Sequence, residues 1–339
     1  MIRVDVAIVG AGPVGLFAVF ACGQLGLRCA VLDALPDPGG QLTALYPEKP
    51  IYDIPGRPTV RAGELVADLV QQAAAYDPVY WLGQRAMALA EDSDGTFRIT
   101  GSAGETILAR AVIIAAGVGA FGPNRPPLPG IEAYENRAVF YHVAQLERFR
   151  GRKLVIAGGG DSAVDWALSL TGVAAEVTVV HRRDDFRAHP ASVAQMKADP
   201  RIRLLTPYQL AGLVGDGVTL SAIEVERIGG ARERLEADCL LALFGLTGDL
   251  SSLASWGFDL DRKTIPVEPV TCATSRKGIY AIGDVAAYPG KLKLILTGFA
   301  EAANAAREAY ARVHPGKALH VEHSTSRGVP GFQALERAG

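Results

Sequence analysis

A short apolar run, a glycine-rich turn and an alanine-rich helix follow one another in this chain, and the same series occurs a second time further on. The first begins with residues 4–9, VDVAIV, which predict a buried strand. It continues through Gly10, Ala11, Gly12, Pro13, Val14 and Gly15 into a helix expected over 14–25. Without side chains at Gly10 and Gly12 the backbone can turn tightly and approach a pyrophosphate at the positive end of the helix, and Gly15 lets helix and strand pack closely. The next strand, expected over 28–33, ends in Asp33, 23 residues after Gly10. A carboxylate there can accept hydrogen bonds from an adenosine ribose. A glycine turn alone can be merely structural, but in register with strand, helix and terminal acid it predicts a dinucleotide cradle.

The second series runs from Lys153 through Ala157 into Gly158, Gly159, Gly160, Asp161, Ser162 and Ala163, with a helix expected over 162–171. Ala163 stands where the ideal pattern has its last glycine. The following strand, expected over 176–181, ends at His181, Arg182 and Arg183, with Arg187 close behind. Guanidinium groups at the ribose end suit the extra phosphate of NADP, where an acid would favour the free hydroxyls of NAD. NADPH is therefore the expected ligand, against the plainer reading of a solvated mixed-charge turn.

Composition narrows the setting. The chain has 339 residues, long enough for two domains, and its 38 glycines exceed the usual share of roughly 7%. A formal charge of -2 argues against general nucleic-acid binding. No apolar run reaches membrane-spanning length, and the opening residues lack the pattern of a signal peptide. The four cysteines, Cys22, Cys29, Cys239 and Cys272, include no CxxC pair, which weakens a dithiol centre and a zinc module and fits a reducing cytoplasm. A cytoplasmic protein with no metal site is expected.

The fold class expected is α/β, with two Rossmann-like three-layer dinucleotide-binding domains, the second inserted in the first. Between the first cradle and the second lie an Asp/Pro/Gly-rich segment at 33–59, a helix expected over 62–75, and strands around 79–90, 96–99, 105–108 and 111–117. The Gly/Pro-rich crossing at 119–130 marks a boundary. The expected division is 1–118 and 245–339 for the first domain and 119–244 for the second. GIYAIGD at 278–284 predicts a strand returning to the first domain and ending at Asp284, and a helix is expected over 297–313.

With these motifs assembled, the whole chain resembles the pyridine nucleotide-disulfide oxidoreductase superfamily, and within it the thioredoxin-reductase-like (type 2) ferredoxin/flavodoxin–NADP reductases. The two glycine motifs, residues 111–117, HRRDDFRA at 181–188 and GIYAIGD at 278–284 carry the superfamily likeness. GGQ at 39–41, LYPEK at 45–49, IYDIPG at 51–56, GGGDSAVDWAL at 158–168 and HSTSRG at 323–328 favour the ferredoxin-reductase branch. The resemblance implies FAD in the first domain, contacted by Gly12, Asp33, Gln41, Tyr46, Ala86, Phe121, Asp284 and Thr325. In that reading Asp33 holds the ribose, Gln41 touches the cofactor, Tyr46 presents an aromatic face to the flavin and Asp284 orients the ribityl-phosphate region. Ala86 would lie beside adenine, Phe121 would form an apolar boundary, and Thr325 would hydrogen-bond near the ring. The tail, with His323 and Phe332, would cover the flavin, from the other subunit of a homodimer.

The implied reaction is hydride transfer from NADPH to FAD, followed by single-electron delivery to ferredoxin or flavodoxin, with no acid–base triad required. Thioredoxin reductases share the architecture but need a CxxC pair in the NADPH domain, where this chain has only Cys239. Two alternatives stay open at this point. One is a reductase of another acceptor, such as a quinone or a disulfide; the other is a non-enzymatic protein whose partner affinity responds to FAD and NADPH.

Overall fold

Runs of buried Val, Ile, Leu and Ala form the centres of two parallel sheets in the computed structural model, which describes residues 1–319 and 328–332. The chain divides into two compact units, one made of Met1–Phe121 and the chain from Gly248 onward, the other of Gly122–Thr247.

In the first unit five strands lie in the order Ile279–Ala281, Ala111–Ile114, Val6–Val9, Cys29–Leu32, Val79–Trp81. All neighbours are parallel. Strands with both faces covered read as continuous apolar runs, and Val6–Val9 is buried at every residue. Alternate side chains serve different layers. Ala7 and Val9 join Phe97, Ile99, Ile107 and Ala109 of a four-stranded sheet on one face. Val6 and Ile8 meet Ala18, Val19 and Cys22 of the helix Pro13–Gln24, together with Ala302, Ala305 and Ala309 of the helix Ile295–Val313, on the other. Gly298 allows those two helices to approach: a Cβ there would stand 2.3 Å from a Val14 methyl.

Register positions the site. Val9 aligns with Leu32 and Ile114, and Ile114 with Ala281. The segments that follow, starting at Gly10, Asp33, Ala115 and Ile282, therefore leave the sheet at one edge, the carboxyl edge where α/β sheets bind ligands.

The second unit repeats the plan with the order Val139–Phe140, Cys239–Ala242, Lys153–Ala157, Glu176–Val180, Ile202–Leu205, again all parallel. Ala157 aligns with Val180 and Ala242, so Gly158, His181 and Leu243 share the carboxyl edge. A three-stranded antiparallel sheet, Tyr208–Gly215, Leu220–Arg227 and Arg232–Glu236, packs Leu220, Ile223, Val225 and Leu235 against Val155, Ala157 and Leu240. This sheet and the helix Pro190–Ala198 were not anticipated from the sequence.

The elements flanking the glycine turns fall close to expectation, the helices at Pro13–Gln24 and Asp161–Leu170. Several expected strands are shorter than read: 79–90 is divided into Val79–Trp81 and Ala86–Glu91, which belong to different sheets, and 111–117 ends at Ile114. Ile279–Ala281 gives way to a single 3-10 turn at Gly283–Val285, because Gly283 has φ +72° and donates its N–H to the Glu301 carboxylate. Among the described residues no helix is long and apolar enough to cross a membrane.

Candidate functional site

The carboxyl edge of the first unit's sheet opens into a cavity of about 400 Å³. Its walls include Gly10, Gly12, Asp33, Gln41, Tyr46, Ala86, Phe121 and Asp284, side by side from six stretches of sequence. Thr325 and His323 lie outside the described residues. Phe332 is half exposed.

The three glycines of the first turn do different work. A Cβ on Gly10 would stand 2.3 Å from the Ala115 carbonyl oxygen, and Gly10 has φ +111°. A Cβ on Gly15 would lie 1.9 Å from the Gly10 carbonyl oxygen, and Gly15 is buried in the strand–helix contact rather than in the cavity wall. Gly12 alone faces open space, with nothing within 4 Å of its Cβ position. It caps the N-terminus of a 12-residue helix with no side chain bonded to the cap, and Pro13 follows it. The first free N–H groups and the helix dipole thus point into a space that a phosphate can enter.

Asp33 braces that turn. Its Oδ2 accepts from the Ala11 N–H at 2.6 Å and its Oδ1 from the Leu35 N–H at 2.8 Å. Burial raises its pKa above the ordinary 3.8, and the two N–H donors act in the opposite direction. Each oxygen keeps a lone pair for a further donor such as a ribose hydroxyl. Gly39 donates to the Ala11 carbonyl at 2.7 Å, which draws the segment bearing Gln41 against the glycine turn. Across the cavity, burial and then the Asp284 carboxylate push the Tyr46 hydroxyl above its usual pKa of 10.0. The open Gly12 cradle, the uncapped helix and the ribose-side acid fit a dinucleotide such as FAD.

Sequence reasoning missed part of the wall. Arg85 and Asp249, whose charged atoms are 3.6 Å apart, line it, as do Leu250, Ser252 and Leu253, then Lys293, Leu294 and Ile295. It also missed Glu301. This carboxylate, only 3% exposed, accepts from the Gly283 N–H at 2.7 Å and the Tyr288 hydroxyl at 2.6 Å, and pairs with Lys291. It ties the segment carrying Asp284 to the helix Ile295–Val313.

The second glycine turn follows the same logic. A Cβ on Gly158 would lie 2.6 Å from the Leu243 carbonyl oxygen, whereas Gly160 faces open space at a helix N-terminus with no side-chain cap. Ala163 is fully buried, Asp161 and Ser162 are exposed, and Arg182, Arg183 and Arg187 are all exposed. The Asp161 carboxylate accepts from the His189 N–H at 2.8 Å. Burial foremost, and then the three guanidinium charges, hold the His181 pKa below 6.5 against a contact to the Asp185 carbonyl. Gly160 and the three arginines fit a phosphorylated dinucleotide such as NADPH.

The sequence profile of the family described as pyridine nucleotide-disulphide oxidoreductase matches residues 4–309. The chain belongs to that family. The ferredoxin–NADP reductase of Rhodospirillum rubrum is 57% identical to it over 339 residues, covering 98% of each chain. That of Paramagnetospirillum magneticum is also 57% identical, over 96% of this chain and 98% of its own. Among solved structures, Lactococcus lactis thioredoxin reductase in its FR conformation is similar at 25% identity and a TM-score of 0.77, covering 91% of this chain and 99% of that one. The T. acidophilum thioredoxin reductase is 26% identical, with a TM-score of 0.77 over 91% and 98%. All four cysteines of the chain are buried. Burial pushes Cys239 up to about 11 and Cys272 up to about 12. A hydrogen bond with Cys22, followed by burial, raises Cys29 as well.

Proposed function

We propose that this chain is a ferredoxin–NADP reductase, with FAD in the cavity of the first unit and NADPH at the second glycine turn. The observation that carries the choice within the family is the thiol chemistry: there is no CxxC pair, all four cysteines are buried, and the two that adjoin, Cys22 and Cys29, lie inside the core of the first unit, so no exposed dithiol is on hand to relay electrons. Full-length relatives that bear the ferredoxin–NADP reductase name support the same reading. The FAD-binding domain is assigned to 1–118 and 245–339 and the NADPH-binding domain to 119–244. A homodimer and a cytoplasmic setting belong to the proposal, and ferredoxin or flavodoxin is the electron partner.

Together, bound NADPH and FAD supply hydride transfer and then release of single electrons to the partner. The protein's residues bind and orient. Gly10 shapes the first turn, Gly12 admits the FAD pyrophosphate and Asp33 accepts from its ribose. Gln41 and Tyr46 stand at the flavin, Asp284 at the ribityl-phosphate region, Ala86 at adenine and Phe121 at the apolar rim, with Thr325 contributing from the tail. Gly158, Gly160, Ser162 and Ala163 would form the NADPH cradle, with Asp161 beside it at the start of the helix, and Arg182, Arg183 and Arg187 would hold its 2′-phosphate. None of them acts as a general acid or base.

Anaerobic stopped-flow absorbance tests this. NADPH should bleach the oxidised flavin band faster than NADH, and ferredoxin or flavodoxin should restore it while thioredoxin does not. Restoration by a quinone alone, or bleaching with no acceleration by any acceptor, would overturn the assignment.

A further inference from the structure

The second glycine turn carries an oddity. Asp161 is the first residue of the helix Asp161–Leu170, directly after Gly160, where a dinucleotide pyrophosphate would approach. A carboxylate there suits the helix dipole but repels a bound pyrophosphate. Its hydrogen bond shows its other use: Oδ1 accepts from the backbone N–H of His189, 28 residues further on, at 2.8 Å.

That bond is one of three ties on the same segment. The Arg187 N–H donates to the Gly159 carbonyl at 2.8 Å. The His181 ring occupies the side-chain space of Gly159, where a Cβ would lie 2.1 Å from the imidazole carbon Cε1. The ring also packs on Phe186, 4.9 Å between centroids, and its Nε2 lies 3.3 Å from the Asp185 carbonyl oxygen. Residues 182–188 are therefore held against the glycine turn at both ends, while Arg182, Arg183 and Arg187 stay exposed. A free loop would lose that ordering entropy each time its arginines closed on a phosphate; a tethered one has lost it on folding.

We propose that Asp161 is a positioning residue for nucleotide selection: its carboxylate fastens the arginine segment 182–187 to the second glycine turn and so sets the preference for a 2′-phosphorylated nucleotide. The inference rests on the NADPH reading given above. It assigns Asp161 to the protein's own loop rather than to direct contact with the nucleotide, and it gives Gly159 a reason to be glycine, since any side chain would displace His181.

The test compares Asp161→Ala, Asp161→Asn and Gly159→Ala with the wild-type holoenzyme. Two quantities are read: the ratio of kcat/KM for NADPH to that for NADH, and the Kd of adenosine 2′,5′-bisphosphate against adenosine 5′-monophosphate by calorimetry. Asp161→Ala should lower the kcat/KM ratio by about tenfold, through the KM for NADPH, the size expected for one exposed charge-assisted hydrogen bond. It should weaken the bisphosphate more than the monophosphate. Asp161→Asn keeps an acceptor oxygen and should recover most of the ratio, and Gly159→Ala should move it as Asp161→Ala does. Equal losses for both nucleotides, tighter NADPH binding in Asp161→Ala, or an Asn variant no better than Ala would overturn the proposal. If the wild-type protein itself shows no preference for NADPH or for the bisphosphate, the NADPH reading fails instead.

Discussion

At the scale of single residues, glycines that look equivalent in a motif separate into those the surrounding protein crowds and those that face open space. Gly10 sits at φ +111° with a neighbouring carbonyl where its Cβ would be, while Gly12 has open space. Gly10→Ala should therefore destabilise the protein by about 2 kcal/mol or more, through both strain and clash, seen as a lower unfolding midpoint. Gly12→Ala should leave the midpoint of the apo-protein within about 0.5 kcal/mol of wild type while weakening FAD retention at least tenfold, read by flavin fluorescence on dilution. Equal effects of the two changes on folding would refute the distinction. The glycine pattern was legible in sequence because a left-handed or side-chain-free position is a local demand that only one residue type meets. Which glycine is crowded by protein and which faces open space was not, because the Ala115 carbonyl that crowds Gly10 comes from the segment just after the strand Ala111–Ile114, far along the chain.

At the scale of elements, the sequence predicts a helix over 297–313 where the structure has Ile295–Val313, and it offers no signal for the role of Glu301 within it. Glu301 is buried and holds the Gly283 N–H, Tyr288 and Lys291. Removing one partner of a buried pair leaves the other uncompensated, so Glu301→Ala should cost about 3–5 kcal/mol in urea unfolding and shed FAD with it. Glu301→Gln should cost less. The segment after Glu176–Val180 carries a pH response. His181 has its pKa held below 6.5 in the folded protein, so its contribution is complete above that value and is lost as pH falls through the depressed one. Its imidazole resonance should accordingly titrate below 6.5 by NMR and return to about 6.5 in urea. In the three-stranded sheet at 208–236 the alternation breaks within one strand: Leu220 and Ala222 are buried with Ser221 exposed between them, but Ile223, next to Ala222, is buried as well. A strand whose buried positions change phase gives no sustained period-two signal in the sequence.

At the scale of the whole molecule, the same plan of parallel sheet, glycine turn and helix is used twice with different ribose-side chemistry, and thiols stand apart from both sites. Native protein at pH 8 should resist iodoacetamide at Cys29, Cys239 and Cys272, since buried thiols with raised pKa values yield little thiolate. Cys239→Ala should retain ferredoxin reduction; loss of turnover there would return a thiol to the mechanism. The amino-acid sequence by itself determined the two cradles, the acid at Asp33 and the arginines at 182, 183 and 187, because each is a requirement met within one strand, turn and helix. Only the tertiary structure decided that Arg85, Asp249 and Lys293 share a wall with Gly12, that Glu301 accepts from the Gly283 N–H beside Asp284 and that Asp161 accepts from the His189 N–H. Those contacts join segments far apart in the chain, and what brings them together is the common register of parallel strands, which delivers the following loops to one edge of each sheet.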